Sequence, residues 1–120
     1  MAILRPEELT KRLTRALKIG GDLHSPKDIV QAVKEGRMQS FENGQSVIVT
    51  EMLGYPNGLI MNLYLCAGNL DEILSLLPEV EKFAKDHGCK RVFMGGRKGW
   101  AKFADKLGWK HDKIVLTKDL

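Results

Sequence analysis

The side chains able to do metal or nucleophilic chemistry in this 120-residue chain are few and scattered. They are two cysteines, Cys66 and Cys89, and three histidines, His24, His87 and His111. A zinc site draws its Cys and His ligands from short paired spacings, which none of these positions offers, so the sequence argues against a metal. A nucleophilic cysteine needs a neighbouring base that lowers its pKa. Cys66 ends an apolar run and Cys89 opens another, which makes both core residues. His87, beside Gly88, fits a helix C-terminus, where the dipole favours a cation. The remaining candidate is the turn Gly95-Gly96-Arg97-Lys98-Gly99-Trp100. Glycines between a strand and a helix can present backbone amides to an anion. The Gly-Lys-Ser/Thr ending and the Gly-x-Gly-x-x-Gly pattern are both missing, so a nucleotide fold is not supported. Arg97, Lys98 and Trp100 are therefore the candidate contact for an anion or a partner, on a loop carried by a rigid scaffold.

With 43% apolar and 28% charged residues, the sequence predicts one globular domain over residues 1–120. A chain of this length buries about two thirds of its unfolded surface and needs neither disulfides nor a structural metal. Two cysteines fit a reducing compartment. The apolar stretch from Leu59 to Ala67 is far short of the roughly 20 residues that cross a bilayer. The start, Met1 to Glu8, shows no signal-peptide core, so export by that route is not expected. Charge is uneven: residues 38–81 hold six carboxylates and no Lys or Arg, whereas residues 82–120 hold eleven basic and four acidic residues. A basic last third suits an acidic partner or a phosphate. It lacks the interleaved aromatics of a single-strand stacking platform, which argues against nucleic acid.

The elements that would carry these residues follow from periodicity. Pro6 can open a helix with Leu9, Leu13, Ala16 and Leu17 on one face, stopped by Gly20-Gly21. Ser25-Pro26-Lys27-Asp28 is a capping signature for a second helix that Gly36 ends. Gln39 to Glu42, Asn43-Gly44 and Gln45 to Leu53 predict a hairpin. Tyr55-Pro56-Asn57-Gly58 is a second turn, followed by a strand from Leu59 to about Cys66. Leu70 to Ala84 has helical spacing, with Pro78 expected to kink or restart it. Lys90 to Met94 is a short buried strand, Arg97 to Leu107 a helix stopped by Gly108, and Asp112 to Thr117 a last strand. The fold class is α+β in the order ααβββαβαβ, an antiparallel meander plus a parallel β-α-β crossover from Leu59 to Met94.

Phe103-Ala104-Asp105-Lys106-Leu107-Gly108-Trp109 resembles the Tyr-Glu-Lys-Leu-Gly-Phe segment of the GNAT superfamily of N-acetyltransferases. The element order is similar to that fold over about residues 5 to 118, without its usual first strand. Asp28 to Glu51, the Arg97-Lys98-Gly99-Trp100 turn and the closing Lys118-Asp119-Leu120 resemble small phage- and prophage-encoded GNAT-like proteins. Two positions depart from the acetyltransferase pattern. Where those enzymes carry an Arg/Gln-x-x-Gly-x-Gly/Ala loop for the pyrophosphate of coenzyme A, this chain has Cys66-Ala67-Gly68-Asn69-Leu70-Asp71-Glu72. Two carboxylates there oppose a phosphate by about 1 kcal/mol or more. Where those enzymes carry a general-acid tyrosine, this chain has Ala104.

The resemblance with these departures implies a degenerate, non-catalytic GNAT-fold protein with no cofactor. It would work as a phage structural, assembly or protein-interaction module in the host cytoplasm or virion. Its partner would be protein, other phage proteins included, with self-association through strand edges that lack lysine. The alternative is an acetyl-CoA-dependent N-acetyltransferase with another proton donor, such as Tyr64.

Overall fold

The computed structural model describes residues 14, 17, 23–43, 46–95, 105–110 and 116–120. Helix α1, Pro26–Lys34, starts as its sequence requires. Ser25 Oγ accepts from the Asp28 amide at 3.3 Å, and the Asp28 carboxylate accepts from the Ser25 amide at 2.8 Å. At its other end the Arg37 amide donates to the Ala32 carbonyl at 2.9 Å and the Gly36 amide to Val33 at 3.2 Å, with Gly36 at φ 77°. This is the double bond that closes a helix through a left-handed glycine.

Four strands follow: β1 Met38–Asn43, β2 Ser46–Tyr55, β3 Gly58–Ala67 and β4 Cys89–Met94, hydrogen-bonded in that order. The β1–β2 and β2–β3 pairs are antiparallel and β3–β4 is parallel. Asn43 pairs with Ser46, so Asn43 is the last residue of the strand and the connecting residues are 44–45. Those two residues lie outside the described ones. Tyr55 pairs with Gly58, leaving Pro56-Asn57 as the two-residue turn expected there.

Helix α2, Leu70–Asp86, joins β3 to β4 and is continuous through Pro78, so of the two expected outcomes, a kink or a restart, the helix does not restart there. Pro78 is exposed, while Leu76, Leu77 and Val80 around it are buried. Burying each such side chain is worth about 1.5–3 kcal/mol, enough together to outweigh the roughly 3 kcal/mol cost of an internal proline.

The sheet carries a core on each face. On the α1 side Ile29 and Ala32 pack with Val47, Val49 and Leu65, and Leu17, itself helical, is 3% exposed among them. On the α2 side Phe41, Ile48, Met61 and Leu63 meet Ile73, Leu77 and Val80. Phe41 is fully buried and meets Phe83 edge to face, with centroids 5.5 Å apart. β4 was expected to be buried, but Lys90 and Arg91 are exposed and the rest is half-buried, because β4 is the margin of the described sheet.

Two further expectations fall mostly outside the described residues. Of the helix predicted over Arg97 to Leu107, Asp105–Leu107 is a single 3₁₀ turn. Of the predicted last strand, Leu116 and Thr117 are described and have no regular structure. Trp109, just past Gly108, is half-buried and packs against the α2-side core rather than being fully enclosed.

Candidate functional site

Among the described residues the sheet opens where β4 ends. β3 and β4 pair from Leu59↔Cys89 to Leu63↔Met94, where β4 ends, while β3 continues to Ala67 bonded to β2 by its other edge. Beyond Leu63 that inner edge of β3 has no partner strand among the described residues. At the same point β3 bulges: Val49 pairs with Leu65 and Thr50 with Leu63, so Tyr64 is an extra residue. A bulge bends its strand and re-aims side chains. Here Tyr64 and the next residue, Leu65, both join the α1-side core, whereas in a regular strand they would point to opposite faces.

A polar cluster sits on that face. Asn62 and Tyr64, two apart on β3, share it. Asn62 Nδ2 donates to Oε1 of its register partner Glu51 on β2 at 3.1 Å. The Tyr64 hydroxyl lies 2.6 Å from His24 Nδ1, and the two rings meet edge to face with centroids 5.1 Å apart. His24 comes from the segment leading into α1, one residue before the capping Ser25. Burial and the nearby Glu51 charge hold the Tyr64 phenol above its ordinary value of 10.0. The arrangement puts a carboxylate, a protonated phenol and an imidazole within one half-buried patch, the components of proton transfer in both directions. Sequence reading considered His24 only as a metal ligand and did not single out Glu51 or Asn62. The available signal was two polar residues, Asn62 and Tyr64, at a spacing of two within an apolar strand.

The loop from β3 into α2 is tied to β2. Gly68 has φ 121°, and a Cβ there would lie 2.7 Å from the Ser46 Cα, so only glycine allows the two backbones to approach. The fully buried Ser46 accepts from the Asn69 amide at 2.8 Å and donates to Glu72 Oε1 at 2.7 Å. Asn69 Oδ1 caps α2 by accepting from the Glu72 amide at 3.2 Å. Two of the amides at this helix start are thus engaged from within. The expectation that Asp71 and Glu72 both face an incoming anion needs correction, since Glu72 is turned to Ser46 and Asp71 alone of the two is exposed.

Arg97, Lys98 and Trp100 lie outside the described residues, as does Ala104. Near them in sequence, an open cavity of about 560 Å³ is bordered by Glu81, Arg91, Phe93, Trp109 and Lys110. Burial pushes the Cys66 thiol up to about 12 and raises that of Cys89, so neither is poised as a nucleophile. Among the described residues no group of His, Cys, Asp and Glu could hold a metal ion, and no helix is long and apolar enough to cross a membrane.

No protein-family model and no curated protein matches the chain. Solved structures do. A Trypanosoma brucei acetyltransferase superposes with a TM-score of 0.69 at 12% identity, covering 99% of this chain and 97% of its own. A probable acetyltransferase gives 0.67 at 11% identity, over 96% and 90% of the two chains. Glucosamine-6-phosphate N-acetyltransferase of Arabidopsis thaliana gives 0.55 at 14% identity, over 98% and 95%. Likeness over nearly whole chains at such low identity is a likeness of architecture, and the chain has the GNAT acetyltransferase fold.

Proposed function

We propose that this chain is an acetyl-CoA-dependent N-acetyltransferase working at the opening between β3 and β4. The observation that carries the reading is the coincidence of three features: the end of β3–β4 pairing at Leu63↔Met94, the bulge at Tyr64, and the Glu51–Asn62 and Tyr64–His24 pairs on the same strand segment. The inner edge of β3 beyond Leu63, without a partner strand among the described residues, fits an amide-bearing arm, which could bond to it as another strand would. The α2 start does not fit a pyrophosphate in the same way, because Ser46 and Asn69 occupy two of its amides. When bound, acetyl-CoA would supply an activated acyl group. Glu51 would take a proton from an acceptor amine, and Asn62 holds its Oε1 in place. The test is incubation of the purified protein with radiolabelled acetyl-CoA and a panel of amines, peptides and aminosugars. Labelled amide above buffer is expected; its absence with every acceptor contradicts the reading.

One observation favours a second reading, a non-catalytic phage structural, assembly or protein-interaction module. The loop closed by Ser46, Asn69 and Glu72 satisfies itself and presents Asp71 outward. On that reading coenzyme A does not bind, and the outward-facing residues serve a protein partner.

A further inference from the structure

β4 carries a bulge of its own. Leu59 pairs with Cys89 and the next residue of β3, Ile60, pairs with Arg91, so Lys90 is an extra residue. Its effect shows in the core. Cys89 and Val92 both pack on the α2 side although they are three positions apart, which in a regular strand would set them on opposite faces. The extra residue resets the alternation, as a bulge does when it re-aims a side chain. Unbroken alternation from Cys89 would send Arg91 into the α2-side core; instead Arg91 is turned out of it and exposed, and Phe93 follows it.

Beside this strand margin, Gly108 at φ 77° turns the chain so that Trp109 reaches back to the α2-side core and Lys110 stands exposed. These two segments and Glu81 of α2 border the open cavity of about 560 Å³, a volume within the roughly 300–1,000 Å³ of small-molecule sites. Phe93 and Trp109 are half-buried at its wall. Arg91, Lys110 and Glu81 stand exposed around it, and the ion pairs among the described residues, Arg37–Glu35 and Lys82–Asp86, use none of them. Arg91 lies three residues back along β4 from Met94, where the opening between β3 and β4 begins, a distance of about 10 Å.

We propose that this cavity is a second ligand site and that it takes a mononucleotide. A phosphate dianion matches two cations, one of them a guanidinium whose fork donates to two phosphate oxygens at once. A nucleobase stacks on aromatic rings of the kind that Trp109 and Phe93 supply. Glu81, whose ionised carboxylate only accepts, suits the ribose hydroxyls, which donate. Inorganic phosphate alone leaves both aromatic residues unused, and a neutral aromatic molecule leaves both cations unused. The site is independent of acetyl transfer and stands whether or not the chain is an enzyme.

The probe is AMP, titrated calorimetrically into the purified full chain. Fluorescence in a Trp100→Phe background, which leaves Trp109 as the single tryptophan of the chain's two, reports on the wall; calorimetry on the wild type carries the test if that variant does not fold. One-site binding is expected, with a change in Trp109 emission. Adenosine and inorganic phosphate should each bind more weakly than AMP by about tenfold or more. Arg91→Gln and Lys110→Gln, at exposed positions, should each weaken AMP by about tenfold or more and leave adenosine unchanged. Dideoxy-AMP, without the ribose hydroxyls, should bind less tightly than AMP to wild type and as tightly as AMP to Glu81→Gln. No AMP binding at millimolar concentration, AMP held no better than phosphate, or binding indifferent to both cation substitutions overturns the proposal. Millimolar acetyl-CoA should leave AMP binding unchanged; displacement would make this cavity the nucleotide end of a coenzyme A site and overturn the second site.

Discussion

Replacing Gly68 with alanine should be among the most damaging single-methyl changes in this protein. The new Cβ would meet Ser46 Cα and Cβ at 2.7 Å, and its Oγ closer still, with φ at 121°. Holding a side chain in that backbone region costs about 1–3 kcal/mol. The contact is with a main-chain carbon as well as a side chain, so it cannot be relieved by a rotamer change at Ser46. Loop and strand would have to part, at the expense of the Asn69–Ser46 and Ser46–Glu72 bonds of 2.8 and 2.7 Å. Leaving one such buried partner unsatisfied costs about 1–3 kcal/mol more. The expected loss is about 3–5 kcal/mol, a large part of the roughly 5–15 kcal/mol that holds a domain together. Gly36→Ala is the control, since Gly36 has φ 77° and nothing within 4 Å of its added Cβ. It should cost about 1–2 kcal/mol, from backbone conformation alone. Urea unfolding of the two variants and the wild type, compared at equal m, measures the difference. If Gly68→Ala lost no more than Gly36→Ala, the close approach of the loop to Ser46 would be wrong.

Trp109→Ala should cost about 2–3 kcal/mol in urea unfolding, below the 3–5 of a fully buried aromatic, because Trp109 is half-buried against the α2-side core; a loss under 1 kcal/mol would detach it from that core. With its thiol pushed up to about 12, Cys66 should have about one thiolate in ten thousand at pH 8 and be alkylated far more slowly than an unfolded cysteine. Mass spectrometry of partly alkylated protein that showed Cys66 labelled as fast as in urea would refute this. Asp28 is held below the ordinary aspartate value by its bonds to Ser25, so its contribution is present above about pH 4 and is lost as pH falls through the depressed folded-state value. The stability difference between wild type and Asp28→Asn, followed by thermal melting, should therefore shrink toward acid pH; a difference independent of pH would remove the capping carboxylate from the account.

What could be read from the sequence was what is settled within a few residues. Ser25 and Asp28 are three apart, and their reciprocal bonds form as the spacing predicts. Pro56-Asn57 makes the expected turn because its neighbours Tyr55 and Gly58 pair directly. The candidate site was not legible, because its contacts join distant parts of the chain. His24 meets Tyr64 across 40 positions and Glu51 meets Asn62 across a register that only the sheet defines. The bulge at Tyr64 also changes which residues share a face, so strict alternation along β3 misplaces Leu65. Pro78 does not restart the helix, because burial on both sides of it outweighs the local cost of a proline. Glu72 was misread because its partner, Ser46, is 26 residues away on β2.

The most direct test of the account is calorimetric titration of acetyl-CoA into the purified protein. The acetyltransferase reading predicts saturable heat with wild type. Thermal melting would confirm it, since ligand at 100 times its dissociation constant should stabilise the fold by about 2.7 kcal/mol. No heat and no change in melting temperature at millimolar acetyl-CoA would contradict the central claim and leave the self-satisfied Ser46–Asn69–Glu72 loop as the mark of a protein that works without the thioester.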